Sequence, residues 1–485
     1  MATFKFAVMT MMAVGATQAL SVSDPPFDGK VRKDPDGSSV AYMKPPYVSN
    51  HASTIEVLPS GTLVAAWFSG EKEEAPGCAI VVSTLPKGTD QWTDAITVSK
   101  DDKYSNQNPV LFYDDVDSKL HLFHSHAPAE SGESQSTIFH LSSADSGATW
   151  TKPEEWLSAP GGFPRNRIIP AADGGVIFPF YNASNAPDYD NHNYAIIGLS
   201  PSNRDWNAKN WQFFGIKGSA DLVQPSTVRL KNQSLVTFFR DRRAQNIYRS
   251  VADENAKHFT TPDTSSHLPN NNAGIEANII KTSDHIVMAY NPQTSGRDPL
   301  GVAVSLDGGV TWPHKRDLQH GDSLNSLLSD SNTGSSNGNE FSYPSTLITY
   351  DENNDATIHV TYTYNRQTIK YKRFKESWIS DSPTPAPAPP AGKWTCVADV
   401  DATGQTPGNY SRVGTMKDLK ECQAACEKLG DDGCGVFDWN DSSGHCYLRY
   451  DALWKTAPNP RVTSCCLTDK VDHCGKMRNA EENTP

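Results

Sequence analysis

Short apolar runs separated by polar turns recur along most of this chain. Six of them are rich in β-branched and aromatic residues and are bounded by Asp, Asn, Gly or Pro: 62–68, 119–124, 175–180, 234–239, 285–290 and 356–362. Runs of this length and composition are typical of β-strands. The pattern predicts an all-β region built from about six sheet units.

A turn motif repeats between these runs. The pattern Ser-x-Asp-x-Gly-x-Thr-Trp occupies residues 143–150 and 305–312, and weaker echoes lie at 83–92, 200–211 and 250–259. We expect a structural role, because the Asp can bond backbone N–H groups, the Gly tolerates a positive φ and the Trp can pack beneath the turn. An interval of roughly 50 to 60 residues favours propeller blades over a β-sandwich, whose turns follow no such longer period.

The repeats and the chain length together predict the domain organisation. A six-bladed β-propeller is expected over residues 40–376, with one loop of every blade at a central mouth where function should lie. The 485 residues are too many for one ordinary domain, so a second folded part is expected. Residues 380–393, in which Pro and Ala alternate, predict an extended linker, and residues 394–478 form the second domain.

The N-terminal segment and the charge balance narrow the choice of compartment and partner. Lys5, an apolar stretch at 6–16 and small residues at 17–19 predict a secretory signal peptide over residues 1–19. No later stretch is apolar enough to span a membrane, so we expect a secreted, extracellular protein. The net charge of −13 argues against nucleic acid or an anionic membrane surface as the main partner. An anionic substrate would require a local basic pocket.

The second domain is rich in cysteine. Eight of the nine cysteines follow the linker: Cys396, Cys422, Cys426, Cys434, Cys446, Cys465, Cys466 and Cys474. In a secreted chain this density predicts a disulfide framework, and a zinc site is the disfavoured alternative. The ninth cysteine, Cys78, is expected to be a buried free thiol.

Three short segments characterise the cysteine-rich domain. They are Cys422-x3-Cys426, Cys434-x2-Phe437 and Cys446-Tyr-Leu448. This order resembles the PAN/apple family, in which a helix is joined to a small sheet. The resemblance implies a small disulfide-rich α+β module with the pairs Cys422–Cys446 and Cys426–Cys434, and leaves the outer pairings open. It also implies binding to protein or carbohydrate; a stabilising cap is the alternative role.

Several further segments stand in a fixed order with the repeated turns. They are His51-Ala-Ser-Thr54, Trp67-Phe-Ser-Gly70, Glu73, Asn108-Pro-Val110, Arg240, Gly296-Arg297 and Ser342-Tyr-Pro344. Together they resemble the sialidase (neuraminidase) superfamily, in particular its BNR or Asp-box branch, from about residue 47 to residue 374. The resemblance implies a sialidase-like propeller that acts on a terminal anionic sugar, with Asn108 among the substrate-binding residues.

Sialidases hold the carboxylate of their sugar with three arginines, because guanidinium groups bind a carboxylate bidentately. By resemblance, Arg240 is the second of the three and Arg297 the third. The first belongs in the opening strand, where this chain has His51. Arg165 and Arg167, on a loop entering the third unit, are expected to substitute for it if they point inward. The adjacent pair at positions 242 and 243 is expected on a solvated face.

The resemblance also implies catalytic roles. Tyr343 corresponds to the nucleophile, which a Glu activates in the family, but Gln224 stands in the place of that Glu and an amide cannot take a proton. Glu73 corresponds to the acid/base carboxylate that protonates the leaving oxygen. Glu276 is a second carboxylate that could reach the mouth and partner Tyr343 or His51.

The leading hypothesis is therefore a secreted exo-glycosidase of sialidase type that retains anomeric configuration and needs no cofactor or metal. Its substrate would be a glycan or glycoprotein that ends in sialic acid or a related acidic sugar. A uronate-directed polysaccharide lyase, with His51 or Tyr343 as the base, is one alternative. A lectin-like propeller that binds glycans without turnover, with the second domain adding avidity, is the other.

Overall fold

The computed structural model describes residues 26–321 and 339–380, together with backbone strands within 394–467. The chain divides into two compact units, Met1–Ser382 and Pro383–Pro485. The predicted signal peptide at 1–19 lies outside the described residues, and so does the predicted linker at 380–393 apart from its first residue. No helix among the described residues has the length and apolar character needed to cross a membrane.

The described residues of the first unit form 25 strands, three short 3-10 helices and one short α-helix. In chain order the strands are β1 (Arg32–Lys33), β2 (Ser39–Tyr42), β3 (Ser49–Val57), β4 (Leu63–Gly70), β5 (Ala79–Leu85), β6 (Ile96–Ser99), β7 (Tyr104–Asp114), β8 (Lys119–Pro128), β9 (Thr137–Ser143), β10 (Glu154–Leu157), β11 (Gly162–Pro164), β12 (Ile169–Pro170), β13 (Val176–Ala186), β14 (His192–Leu199), β15 (Gln212–Gly215), β16 (Leu222–Arg229), β17 (Leu235–Asp241), β18 (Tyr248–Ala252), β19 (Glu276–Ile280), β20 (His285–Tyr290), β21 (Leu300–Ser305), β22 (His314–Gln319), β23 (Phe341–Tyr350), β24 (Ala356–Tyr364) and β25 (Thr368–Phe374). The helices are 3-10 turns at Glu133–Gln135, Pro187–Tyr189 and Ala208–Asn210, and α1 at Glu376–Ser380.

These strands form six antiparallel sheets, and the unit is a six-bladed β-propeller. Blades one to five are β3–β6, β7–β10, β11–β15, β16–β18 and β19–β22, each in sequence order from the axis outward. The sixth blade combines β23, β24 and β25 with β2 and β1 from the start of the chain. Strand β2 pairs with β25, so the two ends of the propeller chain close the ring and cover the sheet edge.

The six apolar runs of the sequence are the second strands of the six blades, β4, β8, β13, β17, β20 and β24. A second strand has a strand on either side and a neighbouring blade against each face. Strand β4 is accordingly buried at every position, with Val64, Ala66 and Phe68 packed against Leu111 and Leu122 of the next blade. Burial on both faces explains why these strands read as nearly continuous apolar segments.

The repeated turn motif has the structural role expected of it. Asp145 accepts hydrogen bonds from the backbone N–H of Thr149 at 2.8 Å and from its hydroxyl at 2.5 Å, and Gly147 adopts a φ of 89°. Asp307 and Thr311 repeat the backbone bond at 2.8 Å. The two copies join the third and fourth strands of the second and fifth blades, on the outside of the ring.

The inner strands are interrupted in a repeated way. In β3, β7, β16 and β23 the pairing with the second strand shifts register, and the four residues Ala52, Asn108, Gln224 and Tyr343 at these shifts have a positive φ of 47° to 54°. Each shift is a β-bulge, which re-aims side chains and is common at barrel rims and beside active sites. Two of the four residues are ones for which the sequence suggested a catalytic or activating position.

The second unit is an antiparallel five-stranded sheet. Its strands are β26 (Trp394–Thr403), β27 (Tyr410–Thr415), β28 (Val436–Asn440), β29 (His445–Arg449) and β30 (Lys455–Leu467), in the spatial order β26-β30-β28-β29-β27. The predicted disulfides Cys422–Cys446 and Cys426–Cys434 lie outside the residues whose side chains are described. Cys78 of the first unit is buried and free, as predicted, and burial raises the pKa of its thiol to about 12.

Candidate active site

Tyr343 lies at the centre of a cluster of guanidinium groups. The bulge in β23 turns this residue out of the ladder, and its side chain is largely buried. The guanidinium carbons of Arg165, Arg240 and Arg297 lie 5.3, 5.6 and 5.3 Å from the centre of its ring. Arg240 Nη1 also donates a hydrogen bond to the Tyr343 hydroxyl at 2.5 Å. Four residues that the sequence proposed for the site, Tyr343 and these three arginines, are therefore brought together.

Two of these arginines lie within 4 Å of no carboxylate oxygen in the described part of the chain. Arg240, near the end of β17, is only 4% exposed and donates its Nε to Asn272 Oδ1 at 2.9 Å. Arg165 is 1% exposed and donates only to the carbonyls of Ser53 and Pro344, at 3.1 and 2.8 Å. Neither forms an ion pair with a carboxylate in the described part of the chain. Because burying an unpaired charge is costly, this arrangement favours the binding of an anion next to Tyr343.

The third arginine belongs to a chain of ion pairs. Arg297 Nη1 donates to one oxygen of Glu340, and Arg366 Nε donates to the other at 2.8 Å. Arg366 Nη1 in turn donates to Glu73 Oε2 at 2.7 Å. Burial alone would raise the pKa of Glu340, but Arg297 and Arg366 outweigh it and lower the pKa below the usual range. Glu73 is thus linked to the Tyr343 cluster through three consecutive ion pairs.

His51 packs directly against Tyr343, with 4.3 Å between the ring centres. Its Nδ1 is 2.8 Å from Thr363 Oγ1, while its Nε2 is buried without a hydrogen-bond partner among the described residues. Burial first, and then the charges of Arg366, Arg297 and the two unpaired arginines, lower the pKa of His51 well below its usual value. The imidazole is therefore neutral at physiological pH.

Gln224 also faces the cluster, at the bulge of β16. A Cβ placed on Gly274 would lie 3.2 Å from both Gln224 Oε1 and the Tyr343 ring, so the two side chains approach each other across the space that this glycine leaves open. Neither polar atom of the Gln224 amide has a hydrogen-bond partner in residues 26–321 and 339–380. Gln224 therefore presents an unpaired amide beside the Tyr343 ring, at the position where the resemblance implies an activating carboxylate.

Arg167 and Glu276 form a separate group on the inner strands. Arg167 donates to the carbonyls of Ile55 and Thr346 at 2.9 and 2.8 Å and to Glu56 at 3.2 Å. Glu276 accepts a bond from the Thr346 N–H at 2.7 Å and lies 3.7 Å from Arg167 Nε. Both side chains therefore tie inner strands together. Among the described residues, no hydrogen bond or ion pair joins Glu276 to Tyr343 or His51, and Arg167 is engaged with the inner strands rather than with the Tyr343 ring.

Asn108 occupies the equivalent bulge of β7 and is buried there. The segment that follows Arg165 also spans the axis, because Asn166 Nδ2 donates to the carbonyls of Gln224 and Pro225 at 2.7 and 3.2 Å. The loop at 165–167 therefore binds inner strands of the first, fourth and sixth blades.

Two residues of the site escaped the sequence analysis, Arg366 and Glu340. Glu340 stands just before the segment at 342–344 that carries the nucleophile candidate, and Arg366 follows Asn365 in a tight turn between two strands. Asn in such a turn signals a left-handed backbone, but it does not indicate where the next side chain points. The contact between Glu73 and Arg366 joins residues 293 positions apart, which no local pattern reveals.

Of the pair at positions 242 and 243, Arg243 is exposed, as expected for a solvated face, but Arg242 is not. Arg242 is largely buried, forms an ion pair with Glu133 and lies 5.7 Å from the ring of Tyr181. Arg243 is more exposed and forms its ion pair with Asp241 at 2.7 Å. The burial of Arg242 depends on Glu133, in a turn of the second blade, and the sequence around Arg242 does not indicate this contact.

One group of potential metal ligands lies elsewhere. Among the described residues, Asp114, Asp117 and His121 bring ligand atoms within 4.8 Å of one another, at the end of β7 away from its bulge. Asp114 already accepts bonds from Arg204 Nη1 at 2.7 Å and Trp206 Nε1 at 2.9 Å. Its charge is therefore neutralised by protein groups, and we assign no metal to this cluster.

Comparison with known families and structures gives a consistent picture. The BNR repeat-like domain family matches residues 61–360, and the PAN domain family matches residues 398–472. No curated protein matches the chain.

Solved structures with a similar fold include several sialidases. The Hadza microbial sialidase Hz136 has a TM-score of 0.56 at 15% identity, over 69% of this chain and 67% of the other. The NanB sialidase from Streptococcus pneumoniae has a TM-score of 0.54 at 10% identity, over 69% of each chain. The intramolecular trans-sialidase from Ruminococcus gnavus has a TM-score of 0.53 at 13% identity, over 71% of this chain and 98% of the other. At these identities the likeness concerns the fold alone.

Proposed function

Because this chain belongs to the BNR repeat-like domain family and carries a PAN domain as well, we propose that it is a glycoside hydrolase of sialidase type. Its substrate would be a glycan or glycoprotein that ends in an acidic sugar, sialic acid or a related one. We further propose that the chain is secreted, by way of the signal peptide at 1–19, and that the PAN domain binds protein or carbohydrate near the substrate.

The observation that carries this proposal is the pair of buried arginines beside Tyr343. Arg165 and Arg240 flank the phenol without a carboxylate partner among the described residues, and Arg297 lies on the same ring. If the carboxylate of a ligand bound to these arginines, the atoms next to that carboxylate would lie against the Tyr343 hydroxyl. An acidic sugar whose carboxylate is attached to the reacting carbon meets that requirement, because its charge and its reaction centre are one bond apart.

A phenol suits this reaction better than a carboxylate nucleophile, which the substrate carboxylate would repel. Tyr343 releases its phenol proton to solvent and attacks the anomeric carbon, while Glu73 protonates the leaving oxygen. Water then displaces the Tyr343 oxygen from the sugar, Glu73 takes the proton of that water, and the released phenolate regains a proton from solvent. Two displacements at the same carbon retain the anomeric configuration. Gln224 cannot accept the phenol proton, so we expect slow turnover.

The test uses a fluorogenic sialoside and release of free acidic sugar from a sialylated glycoprotein. We expect Tyr343→Phe to abolish release and Glu73→Gln to reduce it by about 100-fold or more, the usual contribution of a general acid. Glu74→Gln is the matched control, because it neutralises the adjacent carboxyl group, which has no ion pair with Arg366. Full activity in both Tyr343→Phe and Glu73→Gln would refute the assigned roles.

A glycan-binding protein without turnover is the second candidate, and Gln224 is the observation that favours it. If the amide leaves Tyr343 permanently protonated, the arginines would still hold an acidic sugar. Binding to sialylated glycans with no release of sugar after prolonged incubation would select this candidate. The lyase alternative requires a base that removes a carbon-bound proton, and His51 is poorly suited because burial and the surrounding guanidinium groups disfavour its protonated form.

A further inference from the structure

Glu73 is engaged in a way that conflicts with proton donation. Its Oε2 accepts a hydrogen bond from Arg366 Nη1 at 2.7 Å, in an ion pair with the guanidinium. A carboxylate in such a pair carries no proton to give to a leaving group. If Glu73 is the acid of the proposed reaction, its contact with Arg366 must therefore be broken before the reaction starts.

The turn that carries Arg366 is built to hold its guanidinium at the mouth. Asn365 and Arg366 have positive φ values of 48° and 53°, and Gln367 N–H closes the turn on the carbonyl of Tyr364 at 3.0 Å. Glu340 N–H donates to Asn365 Oδ1 at 2.9 Å, and Asn365 N–H donates to the Glu340 carbonyl at 2.7 Å. A left-handed arginine is strained where glycine would not be, and such strain is concentrated at functional sites.

The two carboxylates bound to Arg366 differ in how firmly they are held. Glu340 is completely buried, accepts from Arg297 and Ser342 as well, and is fixed through its backbone to the turn. The Glu73 side chain is 36% exposed, on the loop after β4. An anion that enters the site will compete with Glu73 for Arg366 Nη1, because Glu73 is held less firmly than Glu340.

We propose that Arg366 is a further anion-binding residue of the site, which exchanges Glu73 for the acidic group of the bound sugar. This inference rests on the proposed function. The exchange leaves the Glu73 carboxylate without its cation, and it takes up one proton from solvent; no other bond is made or broken. Binding of the substrate thereby converts Glu73 to its protonated, acidic form. Arg366, from the sixth blade, would also supply the guanidinium that is missing where this chain has His51 in place of an arginine.

Two further groups interact electrostatically with Glu73. Glu74 is adjacent in the chain, and burial together with the charges of Glu73 and Glu133 raises the pKa of Glu74. The Cys78 thiol is also near, and burial keeps it protonated. Lys72, the remaining cation close in sequence, is highly exposed and pairs with Glu130 at 3.8 Å.

Arg366 itself stays charged throughout. Burial alone would lower the pKa of Arg366, but Glu73 and Glu340 outweigh it and raise the pKa above the usual arginine value. The exchange therefore moves a permanent cation between two anions. Only the carboxyl group changes its protonation.

The experiment measures proton uptake on binding, in the full-length Tyr343→Phe variant, which binds without turning over. Titration calorimetry with 3′-sialyllactose at pH 5.5, in two buffers of different ionisation enthalpy, gives the number of protons taken up. We expect roughly one proton per bound ligand, with affinity falling about tenfold per pH unit at higher pH. Uptake should be lost when Glu73→Gln is added and kept when Glu74→Gln is added instead.

Arg366→Gly tests the other half of the exchange, and the glycine relieves the left-handed turn, so folding should be preserved. We expect at least tenfold weaker binding of 3′-sialyllactose and no linked proton uptake. Arg243→Ala, which removes a similarly ion-paired arginine outside the cluster, should change neither. Tight binding without proton uptake in the Tyr343→Phe protein would overturn the exchange while leaving the proposed function intact. Failure of 3′-sialyllactose and of a glucuronoside to bind at all would overturn both.

Discussion

Replacing Gln224 with glutamate should convert a slow site into a faster one. The Gln224 amide and the Tyr343 ring both lie 3.2 Å from the position of a Gly274 Cβ, so they are separated by no more than twice that distance. Glutamate has the same shape as glutamine and adds a group that can take the phenol proton. Gln224→Glu therefore tests directly whether the missing base limits the reaction.

The expected effect on rate is much larger than the effect on stability. A positioned general base contributes about 100-fold to 10,000-fold in rate. The guanidinium groups around Tyr343 would attract the new carboxylate, and opposite unit charges about 6 Å apart attract each other by about 3 kcal/mol at an effective dielectric constant of about 20. Burying that carboxylate costs several kcal/mol, which is similar in size to the attraction by the guanidinium groups. These terms nearly cancel, so we expect the melting temperature to change by only a few degrees while kcat rises by about 100-fold or more.

The assay compares initial rates on a fluorogenic sialoside for the wild-type chain and Gln224→Glu across pH 4 to 8. Gln319→Glu is the matched control. Gln319 ends β22, the outermost strand of the fifth blade, and its amide oxygen accepts a hydrogen bond from Lys370 Nζ at 2.6 Å. This control introduces the same charge beside a cation and should leave the rate unchanged. A folded Gln224→Glu protein that binds 3′-sialyllactose normally but gains no rate would show that the phenol is not limited by a missing base.

Two further predictions concern the scaffold. Arg167→Met leaves the buried Glu56 carboxylate without its cation, and we expect the free energy of unfolding to fall by about 3 to 5 kcal/mol in chemical denaturation; a loss below about 1 kcal/mol would contradict the bracing role. The Asp145 pKa is lowered from 3.8 to about 2, first by the Thr149 hydroxyl. Its stabilising contribution is therefore complete above the unfolded-state value and is lost as pH falls from about 4 to 2, so Asp145→Asn should weaken the pH dependence of unfolding there, measured by tryptophan fluorescence. If the wild-type chain and Asp145→Asn showed the same dependence of unfolding on pH between about 4 and 2, this prediction would be wrong.

The fold was predictable because its signals are local. Each second strand is buried on both faces and therefore reads as a continuous apolar run, and the Asp-box turns depend on side chains within four or five residues of Asp145 or Asp307. Six runs and a regular interval between turns were enough to predict six blades. Arg167 illustrates the limit of local signals, because a single residue separates it from Arg165 and yet, of the two, only Arg165 lies over the Tyr343 ring.

The remainder of the site depends on contacts across the ring, which local sequence does not encode. Glu73, Glu340 and Arg366 come from the first and sixth blades and meet only when the propeller closes. Their arrangement follows from the closure of the ring by β2 and from one strained turn. A resemblance to a family can indicate Glu73 or Tyr343, but it cannot indicate a compensating arginine that reaches the mouth from another blade.

The bulges of the inner strands link a local sequence signal to the positions of residues in the candidate site. Three of the four left-handed residues at these bulges precede a proline, in Asn108-Pro109, Gln224-Pro225 and Tyr343-Pro344. Proline has no N–H to give to the ladder, so pairing with the second strand must break there, and the bulge that results turns the preceding side chain away from its regular position. A proline early in the first strand of a blade therefore indicates, from sequence alone, which residue the propeller presents at its mouth.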